Sequence, residues 1–215
     1  LLLGGEGVPN PGLRILRAAH LFQHMHDRFV GAAVQWTAAG DGLIDWKAFA
    51  ARWAQLCPQV PIMIDAPDCG QSSTELLSIA EEMNQADSRH NLIFSSHAYW
   101  YGYANSLAQV QAKLNEAQNT NVCFILGEVA PNQDGSNPGE CGINDLSALY
   151  PLILNEACSR NIGWLAWTFS LDCSPARQMS LTASASDLTV FGDNIVNHVD
   201  YGLKSTNGCG AQTFD

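Results

Sequence analysis

Basic residues are scarce in this chain. Ten lysines and arginines stand against 21 aspartates and glutamates among 215 residues, and the formal net charge is −11. A surface with this excess of negative charge repels the phosphates of nucleic acids and the headgroups of anionic lipids. The composition therefore predicts no nucleic-acid partner and no membrane partner, and it favours an uncharged substrate.

Long hydrophobic runs are also missing. Although 47% of the residues are hydrophobic, no apolar run approaches the roughly 20 residues that a bilayer crossing requires. A chain of 215 residues is long enough for one well-buried domain and short for two. We therefore expect residues 1–215 to form a single domain without a membrane-spanning segment.

Several motifs that would indicate other functions are absent. No Gly-x-Gly-x-x-Gly follows a predicted strand, which argues against a dinucleotide-binding fold. None of the seven cysteines forms a Cys-x-x-Cys pair, which argues against a zinc ribbon or a thioredoxin-like site. No acidic residue stands in a ligand-like position beside His20 and His24, so the sequence predicts neither a metal nor a cofactor.

Seven cysteines are more than a cytosolic enzyme usually carries. This number favours an oxidising compartment with one or more disulfides and, because seven is odd, at least one remaining thiol. Cys141 and Cys173 are the preferred pair, since both lie in loops that should share one face of the protein. The cysteines therefore predict a secreted or extracytoplasmic protein.

Apolar runs with the length of strands recur at intervals of about 30 residues. They end near Glu6, Gln35, Asp65, His97, Glu128 and Trp167, with segments of helical periodicity between them. Repetition without a hairpin signal indicates βαβ crossovers. Polar or aromatic residues at every strand end, rather than at one switch point, favour a barrel over a doubly wound sheet. We therefore predict an α/β protein with a TIM-type (β/α) barrel that is incomplete, with about six units of eight.

From Val60 onward the pattern predicts four strands, four helices and one long loop. The strands are Val60–Ile64, Leu92–Ser96, Val122–Leu126 and Ile162–Phe169. The helices are Ser73–Ala86, capped by Ser73 or Thr74, then Ser106–Gln118, Asp145–Arg160 and Asp193–Val199. The loop contains Asn132–Gly142.

Three neighbouring strand ends carry side chains that suit a sugar. His97 and Tyr99 follow one strand, Glu128 follows the next, and Trp167 follows the third. An indole stacks on the apolar face of a sugar ring, polar groups hold its hydroxyls, and a carboxylate faces the anomeric carbon. The pattern predicts a saccharide-binding cleft, and Trp36 and Trp100 are candidates for further aromatic surface along it.

The segments that carry a family resemblance are Val60–Gln71, Asn91–Tyr99, Leu126–Glu128 and Gly163–Phe169. They resemble the family-five glycoside hydrolases, and in particular the bacterial β-mannanases and related endoglucanases. The resemblance implies a (β/α)8 barrel of clan A and retaining hydrolysis of β-1,4-linked mannan or glucan. It also implies that Glu128 is the nucleophile, that His97 and Tyr99 position it, and that Trp167 is the platform under the sugar.

The sequence departs from that family at the acid/base. Strand four of the family ends in Asn-Glu, whereas the matching segment here is Val34-Gln35-Trp36. Gln35 can hydrogen-bond a glycosidic oxygen, but it has no acidic proton to transfer. Glu6, on the neighbouring strand, is the candidate replacement acid.

Alignment of these motifs places Leu1 at strand three of the family's barrel. We therefore expect the first two strands to be missing, and the open edges to be covered by terminal segments or by a homo-oligomer. Two other functions stay open at this point. One is a degenerate barrel that binds a saccharide without cutting it, and the other is an esterase that reuses the same cleft.

Overall fold

The computed structural model describes residues 61–98, 106–135, 137 and 139–205. Glu6, Gln35, Trp36, Tyr99 and Trp100 lie outside the described residues, and so do the first two predicted strands. The predictions that rest on them stay predictions.

The described residues form six strands and four main helices. In chain order the strands are β1 (Ile62–Asp65), β2 (Leu92–His97), β3 (Cys123–Val129), β4 (Asn132–Gln133), β5 (Asn144–Asp145) and β6 (Gly163–Ala166). The helices are α1 (Ser73–Ala86), α2 (Leu107–Gln118), α3 (Tyr150–Ser159) and α4 (Val190–Asn197). Short helical turns lie at Pro67–Gly70 and Pro175–Arg177.

Four parallel strands pair in the order in which they occur in the sequence. The sheet runs β1-β2-β3-β6, and all three pairings are parallel. A helix lies in each connection, as a parallel crossover requires. No switch point interrupts the order of these four strands, so their carboxyl ends follow one another along one edge, as in a barrel wall.

The core lies between this sheet and the apolar faces of α1, α2 and α3. Each helix buries residues three or four apart, which is the spacing of one helical face. The fully buried side chains include Leu76, Met83, Phe94, Leu114, Leu126 and Ile153. Each such side chain contributes about 1.5–3 kcal/mol when it leaves water. No helix in the described part of the chain combines the length and apolarity needed to cross a bilayer.

Two segments differ from the sequence prediction because short-range pairing overrides periodicity. Helix α3 begins at Tyr150 rather than near Asp145. Asn144–Asp145 pairs instead with Asn132–Gln133 as the β4–β5 ladder, inside what the sequence predicts as a loop and a helix start. Strands of two residues have no detectable alternation, so the pattern has no signal for them.

The end of β6 and the start of α1 also correct the prediction. β6 ends at Ala166 rather than Phe169. Thr168 does not continue the strand, because its backbone N–H donates instead to Arg177 O at 2.8 Å. Helix α1 begins at Ser73, and the cap position is Ser72, whose side chain makes no capping hydrogen bond. Ser106 does cap α2, by accepting from the backbone N–H of Gln109.

Gly127 of β3 occupies a position with no room for a side chain. A Cβ atom there would lie 2.0 Å from Ser95 Oγ and 3.4 Å from Asp65 Oδ1. The hydroxyl of Ser95 is buried and has no hydrogen-bond partner among the described residues. The absence of a side chain at residue 127 therefore lets β1, β2 and β3 pack closely where their carboxyl ends meet.

We expect Gly127→Ala to lower the free energy of unfolding by about 1–3 kcal/mol, because the added methyl group overpacks the site. Ser95→Ala should have little effect alone, since it removes an unpaired hydroxyl, and it should recover most of the loss in the double variant. Chemical denaturation of the wild type and three variants measures this coupling. Additive effects of the two substitutions would contradict the packing described for Gly127.

Candidate active site

Acidic and imidazole side chains meet at the carboxyl ends of three adjacent strands. Asp65 ends β1, His97 ends β2, and Glu128 lies one residue before the end of β3. His97 pairs with Glu128 after a shift of register at Ser96/His97, and the pairing of β3 with β6 also shifts, between Leu126 and Val129. Such irregularities redirect side chains, and they are frequent beside active sites.

The imidazole of His97 lies between two carboxylates. His97 Nδ1 is 3.4 Å from Glu128 Oε2, and His97 Nε2 is 3.7 Å from Asp65 Oδ1. Burial of the ring lowers the pKa of His97, but the attraction of Asp65 and Glu128 for a protonated ring outweighs this effect, and the pKa is raised. The ring therefore favours its charged form beside Glu128, which is itself only 7% exposed.

The turn after β1 supports the other side of the imidazole. Gly70 has a φ of +83°, and a Cβ atom there would lie 2.5 Å from ring atoms of His97. Ser96 Oγ donates a hydrogen bond to Gly70 O at 3.0 Å, which ties this turn to β2. Glycine at residue 70 satisfies both the backbone conformation and the contact with the ring.

Trp167 lies directly after β6, and its peptide bond to Thr168 is cis. Its indole Nε1 donates a hydrogen bond to Asp172 Oδ2 at 2.8 Å. The other oxygen of Asp172 accepts from Arg177 Nη2 at 2.6 Å and from the backbone N–H of Ser174 at 2.9 Å. The orientation of the indole is therefore fixed by the Asp172 carboxylate, whose own position is fixed by hydrogen bonds from Ser174 and Arg177.

Asp172 is held in its ionised form. Burial raises its pKa, but the Ser174 N–H, the Arg177 guanidinium and the Trp167 indole together outweigh burial and lower the pKa of the carboxyl group. Arg177 also contacts Asp134 Oδ1 at 2.8 Å and is only 4% exposed. One buried cation thus pairs with two carboxylates at the rim of the site.

A disulfide joins the two loops that carry these charges. Cys141 and Cys173 are bonded, as predicted from the sequence, with their Cα atoms 6.0 Å apart. Arg177 Nη2 lies 3.6 Å from the sulfur of Cys141 and 3.3 Å from that of Cys173. Ligand atoms of Asp134 and the two cysteines lie within 4.8 Å of one another, but the disulfide leaves no thiolate to bind a metal.

These groups line one cleft of about 470 Å³. Its lining residues are Cys69, His97, Glu128, Gln133, Asp134, Trp167, Leu171, Asp172, Cys173 and Arg177. Carboxylates, an imidazole and an indole around one concave surface provide groups that can hold hydroxyls, a flat apolar surface and a nucleophile.

The cleft brings together three of the residues predicted from the sequence, namely Glu128, His97 and Trp167. The other predicted site residues, Glu6, Gln35, Trp36, Tyr99 and Trp100, lie outside the described residues. The structure adds Gln133, Asp134, Asp172 and Arg177, which the sequence analysis did not select. Their one signal in the sequence is their position, since all four lie in the segments that follow β3 and β6 at the carboxyl edge of the sheet.

Asp65 lies against the His97 ring and contributes to the raised pKa of that ring. The neighbouring order of β1 and β2 produces this contact.

The raised pKa of His97 makes the stability of the fold depend on pH. The protonated ring stabilises the folded state below the unfolded pKa of about 6.5, and this contribution is lost as pH rises through the folded pKa. We therefore expect the difference in unfolding free energy between wild type and His97→Gln to decrease from about pH 6 to about pH 9. Chemical denaturation across this range measures it.

Asp65→Asn serves as the partial control for this experiment, because it removes one of the two carboxylates and should reduce the pH dependence without abolishing it. A difference between wild type and His97→Gln that stays constant or grows with pH would contradict the charge arrangement around the imidazole.

No protein-family model matches the chain. A curated relative, a mannan endo-1,4-beta-mannosidase of Salipaludibacillus agaradhaerens, is 23% identical over 210 residues, which are 89% of this chain and 62% of the relative. The chain therefore spans less than two thirds of the length of this relative.

Solved structures match the same fold. The catalytic domain of the mannanase from Streptomyces sp. SirexAA-E has a TM-score of 0.58 and 25% identity, over 73% of this chain and 46% of that one. A mannotriose complex of the β-mannanase of Thermomonospora fusca has a TM-score of 0.58 and 20% identity, over 86% of this chain and 53% of that one. The predicted fold class is confirmed: the chain has the TIM-type α/β fold of mannanase catalytic domains.

Proposed function

We propose that this chain is a glycoside hydrolase that acts on β-1,4-linked mannan, with Glu128 as the nucleophile of a retaining mechanism. The observation that carries the proposal is the position of Glu128. Its carboxylate lies at the end of β3, nearly buried, in a cleft that it shares with His97 and Trp167. In barrel enzymes this edge of the sheet is where catalytic residues lie.

In a retaining mechanism the Glu128 carboxylate attacks the anomeric carbon and forms a covalent glycosyl–enzyme, which water then hydrolyses. His97 assists because its protonated ring, 3.4 Å from Glu128 Oε2, stabilises the carboxylate and limits its rotation. Asp65, on the far side of the ring, keeps the ring charged and in place. Glu128 is thus oriented before the sugar arrives.

Trp167 is the proposed platform for the sugar ring at the point of cleavage. An indole offers a flat apolar face that suits the C–H face of a pyranose. The hydrogen bond from its Nε1 to Asp172 prevents the ring from turning about its side-chain bonds. Pre-orientation of this kind reduces the ordering cost of binding.

No described carboxylate of the cleft suits the role of proton donor. The low pKa of Asp172 and its contact with Arg177 keep it ionised, and Asp134 is paired with the same guanidinium. Glu6 remains the candidate acid from the sequence, and Gln35 remains a candidate hydrogen-bond donor to the glycosidic oxygen. The first test therefore needs a substrate whose leaving group requires no proton.

The relatives favour mannan over glucan as the proposed substrate. The curated relative is a mannan endo-1,4-beta-mannosidase, and a structural neighbour is a complex with mannotriose. The Cys141–Cys173 disulfide supports the further proposal that the protein works in a secreted or extracytoplasmic setting.

The test is turnover of 2,4-dinitrophenyl β-mannobioside, whose leaving group departs unprotonated. Glu128→Ala should lower turnover at least about a thousandfold, as loss of a nucleophile does. Azide should restore part of the rate and yield a glycosyl azide of inverted configuration, because the small anion occupies the space of the missing carboxylate.

Glu156→Ala is the matched control. Glu156 lies in α3 and pairs with Arg160 rather than with the cleft, so turnover should stay at the wild-type level. Wild-type protein that binds manno-oligosaccharides but does not turn over the aryl glycoside would contradict the role of Glu128 as nucleophile. It would favour a protein that binds saccharides without cutting them.

A further inference from the structure

Gln133 carries an unusual polar group in the wall of the cleft. Its side chain lines the cleft and the residue is only 5% exposed. The side-chain nitrogen Nε2 is buried and finds no hydrogen-bond acceptor among the described residues. Buried amide donors are nearly always paired, so an unpaired one needs an explanation.

The backbone around Gln133 is firmly placed. Gln133 pairs with Asn144 in the β4–β5 ladder, and Leu146 N donates to Pro131 O at 2.8 Å behind it. The next residue, Asp134, accepts from Gly142 N at 2.8 Å and contacts Arg177. The unpaired amide is therefore not the result of a loosely held segment.

The other polar groups along the cleft already have partners. His97 contacts Glu128 and Asp65, Trp167 donates to Asp172, and Arg177 binds Asp172 and Asp134. Among the polar nitrogen atoms of the described lining residues, Gln133 Nε2 is the one left without an acceptor. A ligand that enters the cleft can supply that acceptor.

We propose that Gln133 is a substrate-binding residue whose side-chain amide donates a hydrogen bond to a hydroxyl oxygen of the saccharide. This inference rests on the proposed function and deepens it. The acceptor is a neutral sugar hydroxyl rather than an anionic group, because an anion would face the carboxyl groups of Glu128, Asp134 and Asp172 around the cleft. Gln133 thus contributes to binding and has no role in bond cleavage.

The proposal has opposite consequences for stability and for binding. Without ligand, the buried amide lacks a partner, and an apolar side chain of the same length avoids that cost. With ligand, the apolar side chain offers no donor. A purely structural glutamine would show the reverse stability effect, since its replacement removes an internal hydrogen bond.

The experiment compares wild type with Gln133→Met, which keeps an unbranched side chain of similar length, and with Gln133→Leu as a second variant. Thermal unfolding without ligand is measured for each protein. Calorimetric titration with mannohexaose is measured for each in the Glu128→Ala background, in which the ligand is not cleaved, and there wild type means that residue 133 is unchanged. We expect both variants to unfold at the wild-type temperature or above it, and to bind mannohexaose about five- to tenfold more weakly.

Gln178→Met is the matched control, because this buried glutamine does have a partner, donating from Nε2 to Asp172 O at 2.9 Å. Its replacement should lower the unfolding temperature. For hydrolysis of the aryl mannobioside, the Gln133 variants should raise KM more than they lower kcat, as expected for a group that binds substrate and transition state alike.

The outcomes separate this inference from the proposed function. Wild-type protein that does not bind mannohexaose would contradict both. Wild-type binding that both Gln133 variants retain unchanged would contradict the role of Gln133 alone. A lower unfolding temperature in both variants would also contradict it, since it would show that the amide has a partner, such as a bound water, in the free protein.

Discussion

An imidazole held between two carboxylates at the edge of a parallel sheet is the constraint on which the site depends. His97 can lie between Asp65 and Glu128 because β1, β2 and β3 are neighbours and end together. Gly127 lets these strands approach, and Gly70 lets the turn after β1 approach the ring. A side chain at residue 127 would displace Ser95, and one at residue 70 would displace the His97 ring.

The opposite rim is organised by a separate charge network. Arg177 lies between Asp172 and Asp134 and is nearly excluded from solvent, so both carboxylates stabilise its buried positive charge. The Cys141–Cys173 disulfide connects the loops that carry them. Trp167 is held by this network through Asp172. The cleft thus has one edge formed by strand ends and an opposite rim formed by cross-linked loops.

The sequence predicted the strand edge well and the loop rim poorly, for physical reasons. Apolar runs that end near His97 or Glu128, and that recur about every 30 residues, are visible in a single sequence. The contact of Asp172 with Arg177 depends on loop conformation, which has no period, and the two-residue strands β4 and β5 leave no pattern either. The disulfide was predictable because strand ends place both loops on one face. The raised pKa of His97 was not predictable, since it arises from the adjacency of β1 and β2.

The central claim is that Glu128 is the group that attacks the sugar. Peptide mapping by mass spectrometry after reaction with a 2-deoxy-2-fluoro-β-mannosyl fluoride tests it most directly, because the fluorine slows hydrolysis of the glycosyl–enzyme and allows it to accumulate. The account predicts one added fluoromannosyl group, on the peptide that contains Glu128. A label on another carboxylate, or turnover of the aryl mannobioside by protein that never accumulates a labelled form, would contradict it.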